Sequence, residues 1–317
     1  MLKRNEKLEK IKRKLLSMWL IICFIFAMMP PVPVSAATFV VSGLMYNELT
    51  SSTVEVVPNS YTGTSYTIPK QVTSGGKTYN VVRIGEKAFS QCSNLKTVTI
   101  NANLTSIGPS SFYKCVALET INIPSTVSSI GSAAFDNCYA LKSINIPDNV
   151  TAIDHSVFRR CDSLTSLTMK NVTSIGNSSI SYCANLESVT VLSNLANLGG
   201  LALAYTPKLK TLKLTGVPPA SVYQNPFVDE DFGEKDTVDR ELILVDSSGT
   251  PLTGTAFTNA SAAYRAVNDG NTADNKWFSC NIVQPKSTNA GLASVAGQTD
   301  STPGASQVLK QALLHGR

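Results

Sequence analysis

Histidine is almost missing: the 317 residues hold two. That scarcity excludes His-rich metal sites and leaves little for imidazole acid–base chemistry. Charge is sparse as well, at 15% of residues. Seven of the 27 basic residues and two of the 22 acidic ones fall within residues 1–36, so 20 of each sign remain and the rest of the chain is neutral. Phosphate backbones are held by a surplus of Lys and Arg, so this balance excludes a nucleic-acid binder. No Gly-rich phosphate loop follows a strand; Leu198-Gly199-Gly200 is a turn. No pair of carboxylates is placed as glycoside hydrolysis requires. After residue 36 no run reaches the roughly 20 apolar residues that cross a membrane. Apolar residues are plentiful, at 43%, enough for one large core or two ordinary ones.

The first 36 residues have three parts. Lys3, Arg4, Lys7, Lys10, Lys12, Arg13 and Lys14 precede an apolar run of 15 residues, Leu15 to Met29, and Val34-Ser35-Ala36 offers small residues before Ala37. A basic start, an apolar middle and a small-residue end are the parts of a secretory signal peptide. Cys23 lies inside the apolar run after Ile21-Ile22, where a lipid-anchoring cysteine would not sit. The mature protein is therefore expected to begin near Ala37 and to work outside the cytoplasm.

The middle of the chain repeats. Ile84-Gly85, Ile107-Gly108, Ile130-Gly131, Ile153-Asp154, Ile175-Gly176 and Leu198-Gly199 follow one another at steps of 23, 23, 23, 22 and 23. Five residues after each Ile or Leu stand Phe89, Phe112, Phe135, Phe158, Ile180 and Leu203. Then come Cys92, Cys115, Cys138, Cys161, Cys183 and Thr206, and after them Leu95, Leu118, Leu141, Leu164, Leu186 and Leu209. Each unit closes on an alternating apolar pair, such as Val98/Ile100 or Leu167/Met169. Period-2 alternation is a strand with one buried face. The three- and four-residue spacing from Gly85 to Leu95 predicts a helical turn or short 3₁₀ piece. One unit cannot bury its apolar face alone, so units must stack, their strands pairing in parallel. The expected fold is a solenoid with a parallel sheet on its concave side.

The recurring Ile-Gly-x-x-x-Phe-x-x-Cys-x-x-Leu-x-x-Ile-x-Ile-Pro resembles the BspA-like leucine-rich repeat family of bacterial surface proteins. The likeness spans residues 84–214 by repeat. The flanks are similar to the family's caps: strand-like Phe39 to Tyr46, Val54 to Val57 and Lys77 to Val82 before the array, and Glu241 to Val245, a short helix at Ala262 to Ala266 and the plug Trp277-Phe278 after it. The expected organisation is a signal peptide (1–36), a β-rich N-terminal cap (37–83), about six repeats (84–216), a mixed C-terminal cap (217–283) and a disordered tail (284–317). The resemblance implies a non-catalytic surface protein that recognises extracellular proteins or adheres to host or neighbouring-cell surfaces. Asp154 in a Gly position, Ile180 and Leu203 for Phe, and Thr206 for Cys depart from the pattern.

Candidate chemistry is thin. The five repeat cysteines share one phase and are expected to be a buried, unpaired column, with Cys280 apart from them. A single column offers no tetrahedral zinc site. His155 beside Asp154 lies at a repeat corner rather than in a cleft, so no hydrolytic triad is expected. The acidic stretch Asp229 to Asp239 has the clustered oxygens that a hard cation such as calcium wants, but a solvated acidic loop is the better reading. Asn103, Asn149 and Asn171 begin Asn-x-Thr tripeptides at one repeat position and are expected to be turn residues. No cofactor or metal is implied.

A binding surface is easier to place. If Val98 and Ile100 point inward, their neighbours point outward. One outward row then reads Thr97, Thr120, Ser143, Ser166, Ser188, Thr211, and the next Thr99, Asn122, Asn145, Thr168, Thr190, Lys213. Both rows are short, polar and nearly uncharged, and are the expected ligand face. The rival readings are a carbohydrate-binding surface protein and an exported hydrolase with its site in 217–283.

Overall fold

A computed structural model describes residues 37–219, 221–222, 226–227, 240–268, 276–277 and 280–284. The expected export signal, the acidic stretch Asp229 to Asp239, Phe278 and the tail beyond Gln284 lie outside them.

Six strands open the chain: β1 (Thr38–Val41), β2 (Leu44–Thr50), β3 (Thr53–Val56), β4 (Ser65–Ile68), β5 (Gln71–Ser74) and β6 (Lys77–Ile84). β1, β2 and β3 form an antiparallel meander, β5 and β6 a hairpin, and β3 runs parallel to β6. Phe39 lies between Tyr46 and Tyr79, with ring centroids 5.8 and 5.4 Å away. This cap also covers the open end of the array. Tyr61 and Tyr66 bring their rings to 4.9 and 5.9 Å from Phe89, the first repeat phenylalanine.

Counted from the Ile or Leu that opens each repeat, the first coil then holds β7 (Thr97–Ile100), the second β8 (Ser106–Ile107) and β9 (Thr120–Ile121), the third β10 (Ser129–Ile130) and β11 (Ser143–Ile144), the fourth β12 (Ala152–Ile153) and β13 (Ser166–Met169), the fifth β14 (Ser174–Ile175) and β15 (Ser188–Val191), the sixth β16 (Asn197–Leu198) and β17 (Thr211–Thr215), and β18 (Ser221–Val222) follows. The odd-numbered strands build the expected parallel wall. The even-numbered strands build a second one from the residues that precede each glycine.

Between the walls, where a helical turn or 3₁₀ piece is expected, the chain makes a run of turns. Amides bond back three residues, as Ala88 to Gly85, Cys92 to Phe89 and Leu95 to Cys92. The amides between them reach the next coil: Lys87 to Pro109, Phe89 to Ser111 and Gln91 to Tyr113, at 2.6–2.9 Å. This alternation requires left-handed residues. Lys87 and Gln91, at φ 55° and 65°, recur as Ser110 and Lys114, Ala133 and Asn137, Ser156 and Arg160, Ser178 and Tyr182, Leu201 and Tyr205. A non-glycine residue there costs on the order of 1–3 kcal/mol. The inter-coil bonds that the conformation makes possible offset that cost.

Inside, the repeat positions become columns. Phe89, Phe112, Phe135 and Phe158 stack at 5.3, 5.3 and 5.8 Å, within 9° of parallel. The cysteine and leucine columns lie beside them, all buried.

Between the third and fourth coils both walls lapse: β10 and β12 belong to different sheets, as do β11 and β13. Asp154 accounts for the break in the second wall. In the other coils the residue after the Ile or Leu is glycine, and a Cβ there would lie 2.6 Å from the preceding coil's backbone at Gly131 and 2.8 Å at Gly176. Asp154 carries a real Cβ, so the fourth coil must stand off. The amide bond from Gly131 to Ile107, repeated from Gly176 to Ile153, has no counterpart from Asp154 to Ile130. Turn bonds still cross the seam, from Ala133 to His155, Phe135 to Val157 and Asn137 to Arg159.

At the far end β17 pairs with β19 (Arg240–Val245), which pairs with β21 (Cys280–Val283); β20 (Lys276–Trp277) is antiparallel to β21. The expected last strand is therefore β19, followed by two more. The short helix expected at 262–266 is α1 (Gly254–Asn268), of 15 residues. Its Tyr264 hydroxyl donates to the carbonyls of Thr215 and Val217, tying the helix to the last coil. Among the described residues no helix is long and apolar enough to cross a membrane.

Candidate functional site

The strand wall brings the two expected rows together. Register pairs Thr97 with Thr120 and Thr120 with Ser143; beyond the seam it pairs Ser166 with Ser188 and Ser188 with Thr211. The second row pairs Thr168 with Thr190 and Thr190 with Lys213. Thr97, Thr99, Thr120, Asn122, Ser143, Asn145, Ser166 and Thr168 are exposed, whereas Ser188, Thr190, Thr211 and Lys213 are half-buried. The six from the first three coils line a shallow groove of about 580 Å³. The seam divides the rows, so the wall is two short sheets rather than one. Along its border Lys142 Nζ meets Glu119 Oε2 at 2.6 Å.

A larger open groove, about 840 Å³, runs along the second wall. Its floor is Ser106, Ser129, Ala152 and Ser174, with Arg83 and Glu55 at one end and Asp154 and His155 near the seam. Small polar side chains floor both grooves, and the second adds charged groups at its end and near the seam.

His155 sits at a repeat corner, as expected. It is exposed, its Nδ1 accepts the Asn177 amide at 3.2 Å, and its Nε2 lies 3.8 Å from Asp154 Oδ1. It braces a corner between coils. The two asparagines Asn149 and Asn171 do the same work elsewhere, donating from Nδ2 to the carbonyls of Ser125 and Asp148.

The five repeat cysteines are a column of free, buried thiols. Cys115, Cys138, Cys161 and Cys183 point their sulfurs at the carbonyls of Phe89, Phe112, Phe135 and Phe158, at 3.0–3.3 Å. Each thiol thus joins two coils as a weak donor. Burial pushes the Cys92 thiol up to about 11 and the Cys183 thiol up to about 12. Such thiols are poor nucleophiles and poor metal ligands at neutral pH. Thr206, in the cysteine position of the sixth coil, turns its hydroxyl to Leu203 of its own coil instead. Among the described residues no group of three or more His, Cys, Asp or Glu is placed to hold a metal ion.

One feature escapes sequence reasoning. All four tyrosines and both arginines of residues 84–214 fall in the turn stretch, none on either wall. Tyr182 stacks on Tyr205 at 4.2 Å, and the guanidinium groups of Arg159 and Arg160 lie 5.3 and 5.1 Å from the Tyr182 ring. Arg160, Tyr182 and Tyr205 share one repeat position, but Gln91, Lys114 and Asn137 fill it in the earlier coils, so no residue type recurs through the array to mark it.

Residues 82–210 match the BspA type leucine rich repeat region in six copies. Among solved structures, a leucine-rich repeat protein from Bacteroides ovatus is 34% identical, with a TM-score of 0.53 over 56% of this chain and 47% of that one. A leucine rich cell surface protein from Faecalibacterium prausnitzii is 27% identical, with a TM-score of 0.56 over 67% of this chain and 55% of that one. The chain thus spans about half the length of each, 47% and 55%. No curated protein matches it.

Proposed function

Residues 82–210 being a BspA-type leucine-rich repeat region, we propose that the chain is an exported recognition protein without catalytic activity, displayed on or released from the cell surface. Its ligand is an extracellular protein or a component of a host or neighbouring-cell surface, and the ligand face is the strand wall. The observation that supports this reading is the wall itself: two rows of short polar side chains, exposed from Thr97 to Thr168 and half-buried from Ser188 to Lys213, on strands that pair in parallel on each side of the seam. The basic, apolar and small-residue segments of 1–36 support export, and the F. prausnitzii relative bears the description of a cell surface protein.

The two rows of the wall between Thr97 and Lys213 hold no aromatic or arginine anchor of the kind that dominates tight interfaces. Single contacts should therefore be weak, and many copies on a surface would strengthen them. A binding screen of the protein against extracellular proteins and glycans tests the reading. Saturable binding to a protein is the expected result. Binding to glycans alone would replace it with carbohydrate recognition, and turnover in a broad hydrolase assay would overturn it.

A further inference from the structure

The turn stretch offers what the strand wall lacks. An unbroken chain of contacts runs across four coils. Tyr205 stacks on Tyr182 at 4.2 Å, and Tyr182 lies under Arg159 and Arg160. Arg159 Nη1 stands 3.7 Å from Asp136 Oδ1. Asp136 Oδ1 accepts from Asn137 Nδ2 at 2.7 Å, and Asn137 Oδ1 accepts from the Tyr139 hydroxyl at 2.8 Å. Tyrosine and arginine are the residues that anchor protein interfaces, because each brings a large flat area with a polar edge.

The charges of this patch are unequal. Asp136 is 7% exposed and already faces Arg159. Among the described residues Arg160 has no ion pair and no side-chain hydrogen bond, and its Nε is buried without a partner there. Its guanidinium is held in place by the Tyr182 ring instead, 5.1 Å away. An arginine fork oriented by an aromatic face, with Asp136 and Asp162 near but neither in direct contact with it, is a preorganised donor site for an incoming carboxylate. Burial pushes the carboxyls of Asp136 and Asp162 upward, and the Arg160 charge near both pulls them the other way.

We infer that the turn face of the third to sixth coils is a second binding surface, whose partner is a carboxylate-rich protein segment docked on Arg160 and Tyr182. It is independent of the ligand assigned to the strand wall. A peptide fits better than a small anion, since the patch extends through Asn137 to Tyr139 and offers stacking as well as charge.

Poly-L-glutamate serves as the probe, with polygalacturonate as the acidic glycan and Lys96→Gln as a control that removes the same charge at the wall's border. The protein should bind poly-L-glutamate, more weakly as salt rises. Arg160→Gln should weaken binding tenfold or more, Arg160→Lys by less, and Lys96→Gln by under twofold, with melting temperatures unchanged. Should Arg160→Gln fail to fold, Arg160→Lys against Lys96→Gln carries the comparison, and at least a threefold difference is expected. Equal losses for Arg160 and Lys96 would reduce the effect to net charge and overturn the inference. So would an absence of poly-L-glutamate binding, or equal binding of polygalacturonate through the same residues.

Discussion

Replacing Asp154 with glycine should knit the two halves of the array together. With the Cβ gone, the fourth coil can approach the third as closely as Gly131 and Gly176 let their coils approach. The Asp154 amide can then reach the Ile130 carbonyl, and Ala152–Ile153 can pair with Ser129–Ile130 as the other even-numbered strands do. Two or three new hydrogen bonds at about 1 kcal/mol each are gained. Glycine's extra freedom in the unfolded chain takes back about 0.5–1 kcal/mol. The bond from the His155 amide to Asp154 Oδ1 is lost, but that amide is exposed and water replaces the acceptor. The net gain is about 1–2 kcal/mol, a rise in Tm of about 2–8 °C for a domain of this size. Asp154→Ala separates the causes, because it removes the carboxylate and keeps the Cβ. Scanning calorimetry should show the rise for glycine and none for alanine. Amide exchange at 152–154 should slow only in the glycine variant. Equal effects from the two variants, or a lowered Tm for glycine, would refute the account of the seam.

Two smaller predictions concern the core. Ser111 and Ser179 are fully buried with unpartnered hydroxyls, in a row that carries Ala88, Ala134 and Ala202 elsewhere. Changing either to alanine should stabilise the fold by about 1 kcal/mol, the cost of an unmade buried hydrogen bond, read as a raised denaturant midpoint. The thiol column should resist labelling in the native state and yield six reactive thiols in residues 37–317 once unfolded, while two or more disulfides by mass spectrometry would contradict it. Because folding raises the thiol values, as for Cys92 to about 11, the unfolded chain ionises first. The stability they contribute is full below about pH 8.5, the ordinary thiol value, and is lost as pH rises through the folded value. Chemical denaturation at pH 7, 9 and 10.5 should show that decline, and Cys115→Ala should lessen it.

The parts of the fold that are legible in the sequence are those written by side chains at a fixed phase. Phe89, Cys92, Leu95 and Val98, with their equivalents, announce the columns and the strand wall, because burial selects residue type directly. The second wall is not legible. Its strands are two residues long, and Ser106-Ile107 or Ser129-Ile130 carries no alternation to read. The glycine after each suggests a turn, whereas its role is close approach of backbones. The left-handed positions are hidden for a similar reason. They are filled by Lys87, Gln91, Ala133 or Leu201 rather than by glycine, since inter-coil hydrogen bonds fix them instead of local preference. Of the candidate surfaces, the polar rows of the wall follow from strand period alone. The Arg160–Tyr182 patch needs the coils stacked before its members meet.

The strand wall as ligand face is the claim on which the functional reading rests. The most direct test is binding of a captured extracellular protein to the wild type and to a variant with Ser143, Asn145, Ser166 and Thr168 replaced by bulky charged residues. All four side chains are exposed, so the melting transition should not move. The reading predicts that the variant melts as the wild type does and no longer binds. Unchanged binding by the variant, with loss instead on altering the turn face or residues 217–283, would contradict it.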